Sequence, residues 1–146
     1  MVNQENLSIP DKSRGLDRVL AASAALAMTA GCAFVAWFNP TETSIFPVCP
    51  LYSATGFACP GCGLTRGFHA LFHGDVLTAL GYNAMLPVYA LLFGYLYLSL
   101  VFVAARGRGL SMNFLSMRWL YGFFAVAVTF TILRNLPYYP FSVLFP

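Results

Sequence analysis

Three of the four cysteines in this chain lie close together, in the stretch CPLYSATGFACPGC that runs from Cys49 to Cys62. Cys59 and Cys62 have the C-x-x-C spacing that redox enzymes share with zinc sites. Cys49 precedes this pair in the chain and can join either kind of site. The three thiols therefore allow four interpretations: a structural disulfide, a redox-active pair, a metal site or unreactive thiols.

A structural disulfide is the interpretation that the sequence favours for Cys49, Cys59 and Cys62, if this segment lies outside the cytosol. Oxidising compartments allow disulfides to form and persist, and a bridge would hold an irregular segment in place. One of the three cysteines would then remain unpaired, unless it is reactive or pairs with another chain. Cys32 lies within a long apolar segment, where we expect it to serve as a small apolar residue.

A redox pair is the second interpretation, with Cys59 and Cys62 as the catalytic candidates and Cys49 as their partner. The CPGC motif is followed by GLTRGFHALFH (63–73), whose apolar residues recur at helical spacing. A thiol at a helix N-terminus has a lowered pKa, and Arg66, one turn further on, would also favour a thiolate. The βαβ context of soluble C-x-x-C oxidoreductases does not accompany the motif, so a redox role requires a small membrane-embedded oxidoreductase.

A metal site is the third interpretation, and zinc is its candidate ion. His69 and His73 lie four residues apart, on one face of the predicted helix. With the C-x-x-C pair they would form a Cys2His2 set, in which Cys49 can replace one histidine. The gap between Cys62 and His69 is shorter than the ~12 residues usual in a zinc finger, so such a site would differ from the standard finger.

The elements that carry these residues are those of a membrane protein. Hydrophobic residues make up 59% of the chain and charged residues 9%, whereas soluble domains contain about 45–50% apolar and about 25% charged residues. The predicted fold class is an all-α integral membrane protein with an N-terminal tail (1–18) and a single membrane domain (19–146). Its cysteine-bearing loop (39–83) is expected to form short interfacial or re-entrant helices. Two apolar segments are long enough to predict transmembrane helices, at about 19–38 and 84–105. A third span is predicted at about 117–136, where only fifteen apolar residues lie between Arg118 and Arg134, because arginines near helix ends can extend to the membrane interface.

The distribution of basic residues predicts the orientation of these spans. Short loops on the cytoplasmic side of a membrane are enriched in Lys and Arg. The long loop holds Arg66, and Arg134 follows at the outer end of the third span. The sequence therefore places the N-terminus in the cytoplasm and the cysteine loop outside. The other basic residues lie in the tail and between the second and third spans: Lys12, Arg14, Arg18, Arg106, Arg108 and Arg118.

Charged residues in the loop are predicted to have structural roles. Gly74 ends the first short helix and Asp75 is the expected N-cap of the next. Arg66 and Arg134 both lie near the predicted outer face, so either can form an ion pair with Asp75. A partly dry site requires its charges to be paired in this way.

The loop sequence resembles a known family. The matching positions are Cys49, Thr55-Gly56, CPGCG (59–63), Thr65-Arg66, Gly74-Asp75 and Asn83. They resemble the bacterial membrane-protein family known as domain of unknown function 2752, over about residues 45–90. Arg134-Asn135-Leu136-Pro137 fits the same resemblance. One departure is Ala84, where the family usually has proline, and it affects the expected start of the second span.

The resemblance implies a small bacterial protein of the inner membrane and brings no established activity. His69 and His73 are not part of the family's core pattern. The resemblance therefore favours a site built from the three cysteines and Arg66 over a Cys2His2 site.

The composition also limits the function classes. The net charge is only +3 and the basic residues are scattered, so nucleic acid is not an expected partner. No Ser/His/Asp set, paired carboxylates or phosphate-binding loop stands out in the sequence. We therefore predict a non-enzymatic accessory or scaffold subunit with a cysteine-stabilised outer loop, in contact with lipid and with other membrane subunits or a second copy. A membrane thiol–disulfide oxidoreductase and a zinc-binding protein are the alternatives.

Overall fold

The computed structural model describes residues 11–43, 45–46, 48–111, 116–139 and 141–144. Over these residues the chain is all-helical, with six α-helices and no strand. The predicted tail begins with residues 1–10, which lie outside the described part. The helices are α1 (Asp11–Trp37), α2 (Pro50–Thr55), α3 (Leu64–Phe72), α4 (Val76–Tyr82), α5 (Leu86–Arg106) and α6 (Met117–Arg134), followed by a 3-10 helix (Phe141–Leu144).

Two of the described helices are long and apolar enough to cross a membrane, Gly15–Trp37 of α1 and Leu86–Arg106 of α5. Both match predicted spans, and almost none of their surface is buried inside the protein. The charged residues 11–18, predicted as part of the tail, belong to α1. A helix does not have to end where its apolar stretch ends, because its backbone hydrogen bonds close within the helix itself.

The predicted third span is a helix, since α6 runs from Met117 to Arg134. It is not among the helices that are long and apolar enough to cross a membrane. Its arginines, Arg118 and Arg134, lie within the helix and lower its mean hydropathy. The helical character of the segment is therefore confirmed, and its passage through a membrane stays a prediction.

Helices α1 and α5 pack side by side, and polar contacts join them at two levels. The hydroxyls of Thr29 and Tyr97 form a hydrogen bond at 3.2 Å. At the other end, the guanidinium of Arg18 donates to the carbonyls of Ala104 and Ala105. These carbonyls belong to the last turn of α5, where helical partners are missing.

The cysteine loop contains three short helices rather than the two predicted. The unpredicted helix, α2, begins with Pro50 after Cys49 and ends at Gly56, whose φ of 74° closes the helix in the left-handed region. Proline is favoured in the first helical turn and glycine just past the last one, so this local pattern explains why a segment rich in prolines still forms a helix.

Two small apolar clusters connect the loop to the long helices. In the first, α3 and α4 pack together against the start of α5, and in the second α5 packs against α6. The buried members of the first are Ala70, Ala79 and Leu86, and those of the second are Met85, Ala127 and Phe130. The cysteine loop therefore lies on the same end of the protein as the start of α5 and the end of α6.

Candidate thiol site

The CPGC motif forms a tight turn just before α3. The amide of Cys62 donates to the carbonyl of Cys59 at 3.1 Å, and Gly63 follows with a φ of 81° as the N-cap of α3. The predicted position of the motif at the beginning of a helix is confirmed, with the helix itself starting at Leu64.

The turn brings together the three sulfurs of the loop. The Sγ atoms of Cys49 and Cys59 are 3.3 Å apart, and those of Cys59 and Cys62 are 3.1 Å apart. All three lie within 4.8 Å of one another. A disulfide requires a separation of about 2.05 Å, and all four cysteines are free thiols. The structure therefore shows a cluster of three thiols where the sequence favoured a disulfide.

Cys49 is the thiol that lies at a helix N-terminus, as the N-cap residue of α2. A hydrogen bond with the backbone of Tyr52 and one with the thiol of Cys59 lower the pKa of Cys49 from 9.0 to about 7. The sequence assigned this helix-terminal effect to the CPGC motif, because α2 was not recognised. A thiol at a helix N-terminus does have a lowered pKa, but the thiol concerned is Cys49 at the start of α2.

Cys62 has the opposite character, since it is the buried thiol of the cluster. Burial, and then hydrogen bonding with Cys59, raise the pKa of Cys62 to about 12. Its sulfur also accepts the backbone amide of Cys59 at 3.1 Å. The half-exposed Cys49 and the buried Cys62 thus differ in acidity.

Side chains from outside the motif satisfy its backbone. Asn83 is 1% exposed. Its side-chain nitrogen Nδ2 donates to the carbonyls of Pro60 and Cys62 at 2.9 and 3.1 Å. Asn135 forms a pair of hydrogen bonds with Ala58: it accepts the Ala58 amide at 2.8 Å and donates to the Ala58 carbonyl at 2.9 Å. Backbone groups that are buried away from water require such partners.

The cation next to the CPGC backbone is Arg134. Its side chain is fully buried, and Nη1 donates to the carbonyls of Cys59 and Cys62 at 2.9 and 3.2 Å. Arg66, to which the sequence assigned the role of favouring a thiolate, lies exposed on α3. The cation beside the CPGC turn is therefore Arg134, which the sequence predicted only as a structural residue.

Asp75 is confirmed as a helix cap and does not form the predicted ion pair. Its carboxylate accepts the backbone amide of Thr78 at 3.1 Å at the start of α4. Hydrogen bonds with the Thr78 side chain and then with its backbone lower the pKa of Asp75. Arg134 is directed instead to the CPGC carbonyls. The pairing with Arg66 or Arg134 is therefore wrong for the residues that the structure describes.

The two histidines are directed away from the thiols. His69 Nδ1 lies 2.7 Å from the carbonyl of Val35, and His73 Nε2 lies 3.0 Å from that of Ala36. These carbonyls belong to the last turn of α1, which has no helical donors for them. His69 was a candidate metal ligand, and the structure removes both histidines from the cluster. They join α3 to the end of α1.

The sequence predicted Asn83 only as a cap of the second span, and it did not show that Asn83 and Asn135 bind the CPGC segment. Asn83 was matched by the family resemblance, and its carbonyl and side-chain oxygen do accept the amides of Leu86 and Met85 at the start of α5. Asn135 was matched in the same way, next to Arg134. The resemblance marked these positions, but residue type and spacing alone could not show that both bind the backbone of residues 58–62.

The cluster can bind a soft metal ion or exchange a disulfide. Among the described residues, no His, Asp or Glu joins Cys49, Cys59 and Cys62 as a further ligand. Cys32 lies exposed on α1, apart from the group. The protein therefore supplies three sulfur ligands from one loop, at distances that a single ion can bridge.

Comparison with known proteins finds one family model that matches this chain. No curated protein and no solved structure matches this chain significantly. A family model matches residues 49–97, from the first cysteine of the cluster to the middle of α5. The match includes the whole CPGC segment on which the resemblance was based. Residues 49–97 of this chain therefore match the family described as "Protein of unknown function (DUF2752)".

Proposed function

We propose that this protein is a three-span membrane protein that binds a zinc ion through Cys49, Cys59 and Cys62. The observation that carries the proposal is the mutual proximity of three unbonded sulfurs, all within 4.8 Å. Thiolates are soft ligands that favour zinc among the common divalent ions. Two of these cysteines lie in one turn and the third comes from the start of α2, so an ion would connect both segments.

The sulfur positions fit a tetrahedral site with little movement. A Zn–S bond of about 2.3 Å places the sulfurs of a tetrahedral site roughly 3.8 Å apart. The separations of 3.1 and 3.3 Å lie just below this value, and the overall limit of 4.8 Å lies above it. The fourth ligand would be water or a group from another protein, since no fourth side chain of the described chain joins the cluster.

Three features support a third span in α6 and an outer position for the cysteine loop. The eighteen residues of α6 reach about 27 Å, close to the thickness of the hydrocarbon core. Arg134 is buried in protein, so its charge would not face lipid. The excess of basic residues in the tail and after α5 favours a cytoplasmic position for both. We place the protein in the inner membrane of a bacterium.

Within this proposal, zinc takes the structural role that the sequence assigned to a disulfide. It would hold the start of α2 against the CPGC turn and stabilise the loop as a surface for other membrane subunits. A site with three protein ligands retains one position for an external group. A partner that supplies the fourth ligand would fit an accessory or scaffold role without an enzymatic reaction.

The test is the metal content of the purified protein. Protein extracted in mild detergent under reducing conditions should contain about one zinc per chain, measured by mass spectrometry of the metal. The Cys49→Ser, Cys59→Ser and Cys62→Ser variants should each lose most of it, because each removes one of three ligands. Cys32→Ser is the matched control and should retain the metal. Wild-type protein with no more zinc than Cys59→Ser would contradict the proposal.

A second candidate function is thiol–disulfide exchange, favoured by the short distances from the Cys59 sulfur to the other two sulfurs. Cys59 contacts both neighbours, and the pKa of Cys49 is the lowered one. The Cys49 thiolate would attack a disulfide of another protein and release one substrate thiolate. Cys59 would then attack the mixed disulfide, release the second substrate thiolate, and leave a Cys49–Cys59 bond. The substrate is reduced by two electrons, and the two cysteines are oxidised.

Trapping separates the two functions. In native membranes, rapid acid quenching and alkylation followed by mass spectrometry should show a Cys49–Cys59 disulfide, and a Cys59→Ser variant should accumulate mixed disulfides through Cys49. Fully reduced cysteines that are protected from alkylation until a chelator is added would support zinc and exclude exchange.

A further inference from the structure

Arg134 combines complete burial with an incomplete set of hydrogen bonds. Its side chain is 0% exposed. Nη1 donates to two carbonyls of the CPGC turn, but Nε and Nη2 have no hydrogen-bond partner. A buried charge is tolerated when it is paired, because the protein interior solvates it poorly. No carboxylate of the described residues is paired with this guanidinium.

The nearest groups able to carry negative charge are parts of the thiol cluster and its surroundings. Cys62, Cys59 and Tyr89 are the electrostatic neighbours of Arg134. A phenol with an ordinary pKa of about 10 is neutral at pH 7, so Tyr89 does not supply the missing charge. The thiols can, once they bind a metal as thiolates. Phe130, whose ring centroid lies 5.0 Å from the guanidinium carbon, offers only a weaker cation–π contact.

A count of charges connects Arg134 to the metal state of the cluster. Three thiolates and one divalent ion have a net charge of −1, and the guanidinium brings the site to zero. Three neutral thiols, or one disulfide with a neutral thiol, leave the arginine unbalanced. Resting on the zinc function proposed above, we infer that Arg134 is the positioning residue that supplies the counter-charge for the tri-thiolate zinc complex, with its free N–H groups available to the bound sulfurs.

This assignment also explains why the cation comes from a distant helix. Residue 134 reaches the cluster from the end of α6, more than seventy residues after Cys62. A cation on α3 would be exposed, as Arg66 is, and its field would be screened by water. Arginine suits the position because its planar fork can donate to backbone carbonyls and to further acceptors at once.

The experiment compares zinc affinity, by competition with a chelator, in wild type, Arg134→Gln, Arg134→Lys and Arg66→Gln. Outer-shell partners of metal ligands are worth about 10–100-fold in affinity. We expect Arg134→Gln to weaken zinc binding by about that factor, and Arg134→Lys, which keeps the charge, to recover most of it. Arg66→Gln is the control and should match wild type. Cobalt in place of zinc should give a weaker thiolate charge-transfer band in Arg134→Gln, since fewer sulfurs bind as thiolates.

The outcomes separate this inference from the zinc function itself. Arg134→Gln that binds zinc as tightly as wild type, with the same cobalt band, overturns the role of Arg134 and leaves zinc binding intact. Wild-type protein that binds neither ion overturns both. If circular dichroism shows that Arg134→Gln is unfolded, Arg134→Lys decides: a folded lysine variant that has lost zinc binding contradicts the charge argument.

Discussion

The cysteine loop and the α1–α5 pair are neighbours that are held by different interactions. In the loop, Asn83, Arg134 and Asn135 bind the backbone of residues 58–62 with hydrogen bonds of 2.8 to 3.2 Å. In the helix pair, the backbone satisfies itself except in the last turns, and most of the apolar surface faces outward. A bilayer can solvate such a pair, but it cannot satisfy an irregular turn. Single polar side chains should therefore matter far more in the loop.

The largest difference should be in thiol reactivity, between two cysteines that both lie in the loop. In metal-free protein, Cys49 with a pKa of about 7 should react with iodoacetamide at neutral pH. Cys62, with a pKa of about 12, should react at least about a hundredfold more slowly, although part of its smaller thiolate fraction is offset by greater nucleophilicity. Mass spectrometry of alkylated peptides measures both rates.

The pH dependence of the same reaction follows from the lowered pKa of Cys49. Between pH 8 and pH 6 the thiolate fraction of a group with a pKa near 7 falls about tenfold, and the alkylation rate of Cys49 should fall with it. Cys62 should remain slow at both values. Equal alkylation rates for Cys49 and Cys62 would show that the loop does not give the two thiols different pKa values. The loop would then resemble an unstructured segment in its thiol chemistry.

Removing the side-chain amide of Asn83 should cause the largest loss of stability. Asn83→Ala deletes donors to Pro60 and Cys62 and the acceptor for Met85. Each buried group left without a partner costs about 1–3 kcal/mol, so we expect a loss of about 3 kcal/mol or more in the free energy of unfolding, measured by denaturation in mixed micelles. Asn39→Ala is the matched control, because its side chain bonds only to nearby exposed groups, and should cost about 1 kcal/mol or less.

A glycine in each region gives a second, smaller contrast. A Cβ at Gly67 would lie 2.6 Å from Cδ1 of Leu86 and 3.2 Å from the carbonyl of Ala79, so Gly67→Ala should cost about 1–2 kcal/mol through overpacking. Gly94, within α5, has nothing within 4 Å of such a Cβ, and Gly94→Ala should be neutral or stabilise by up to about 1 kcal/mol. A stabilising Gly67→Ala would mean that α3 and α4 are less closely packed than the structure shows.

The sequence predicts the long helices better than the loop, because the loop is held by side chains that are distant in the chain. Apolar length alone located the apolar stretches of α1 and α5 within a few residues, because composition determines which segments a bilayer can accept. The loop depended on contacts between residues far apart in the chain. His69 contacts a carbonyl at the end of α1 and does not join the thiols. The cation beside the thiols is Arg134 rather than Arg66, which is nearer in the sequence. Spacing reports neighbours within a helix and gives no information on such distant pairs.

The smallest effect should come from the polar contact between the long helices. Thr29 shares a hydrogen bond with Tyr97, but its hydroxyl also bonds to the carbonyl of Ala25 in its own helix. Hydrogen bonds between membrane helices contribute about 0.6 kcal/mol on average, since each side chain finds other partners when the helices separate. Thr29→Val and Tyr97→Phe should each cost about 0.5 kcal/mol, and a double-mutant cycle should give a coupling of similar size. A coupling above about 2 kcal/mol would show that the helix pair depends on specific polar contacts as strongly as the loop does, and the contrast between the two regions would fail.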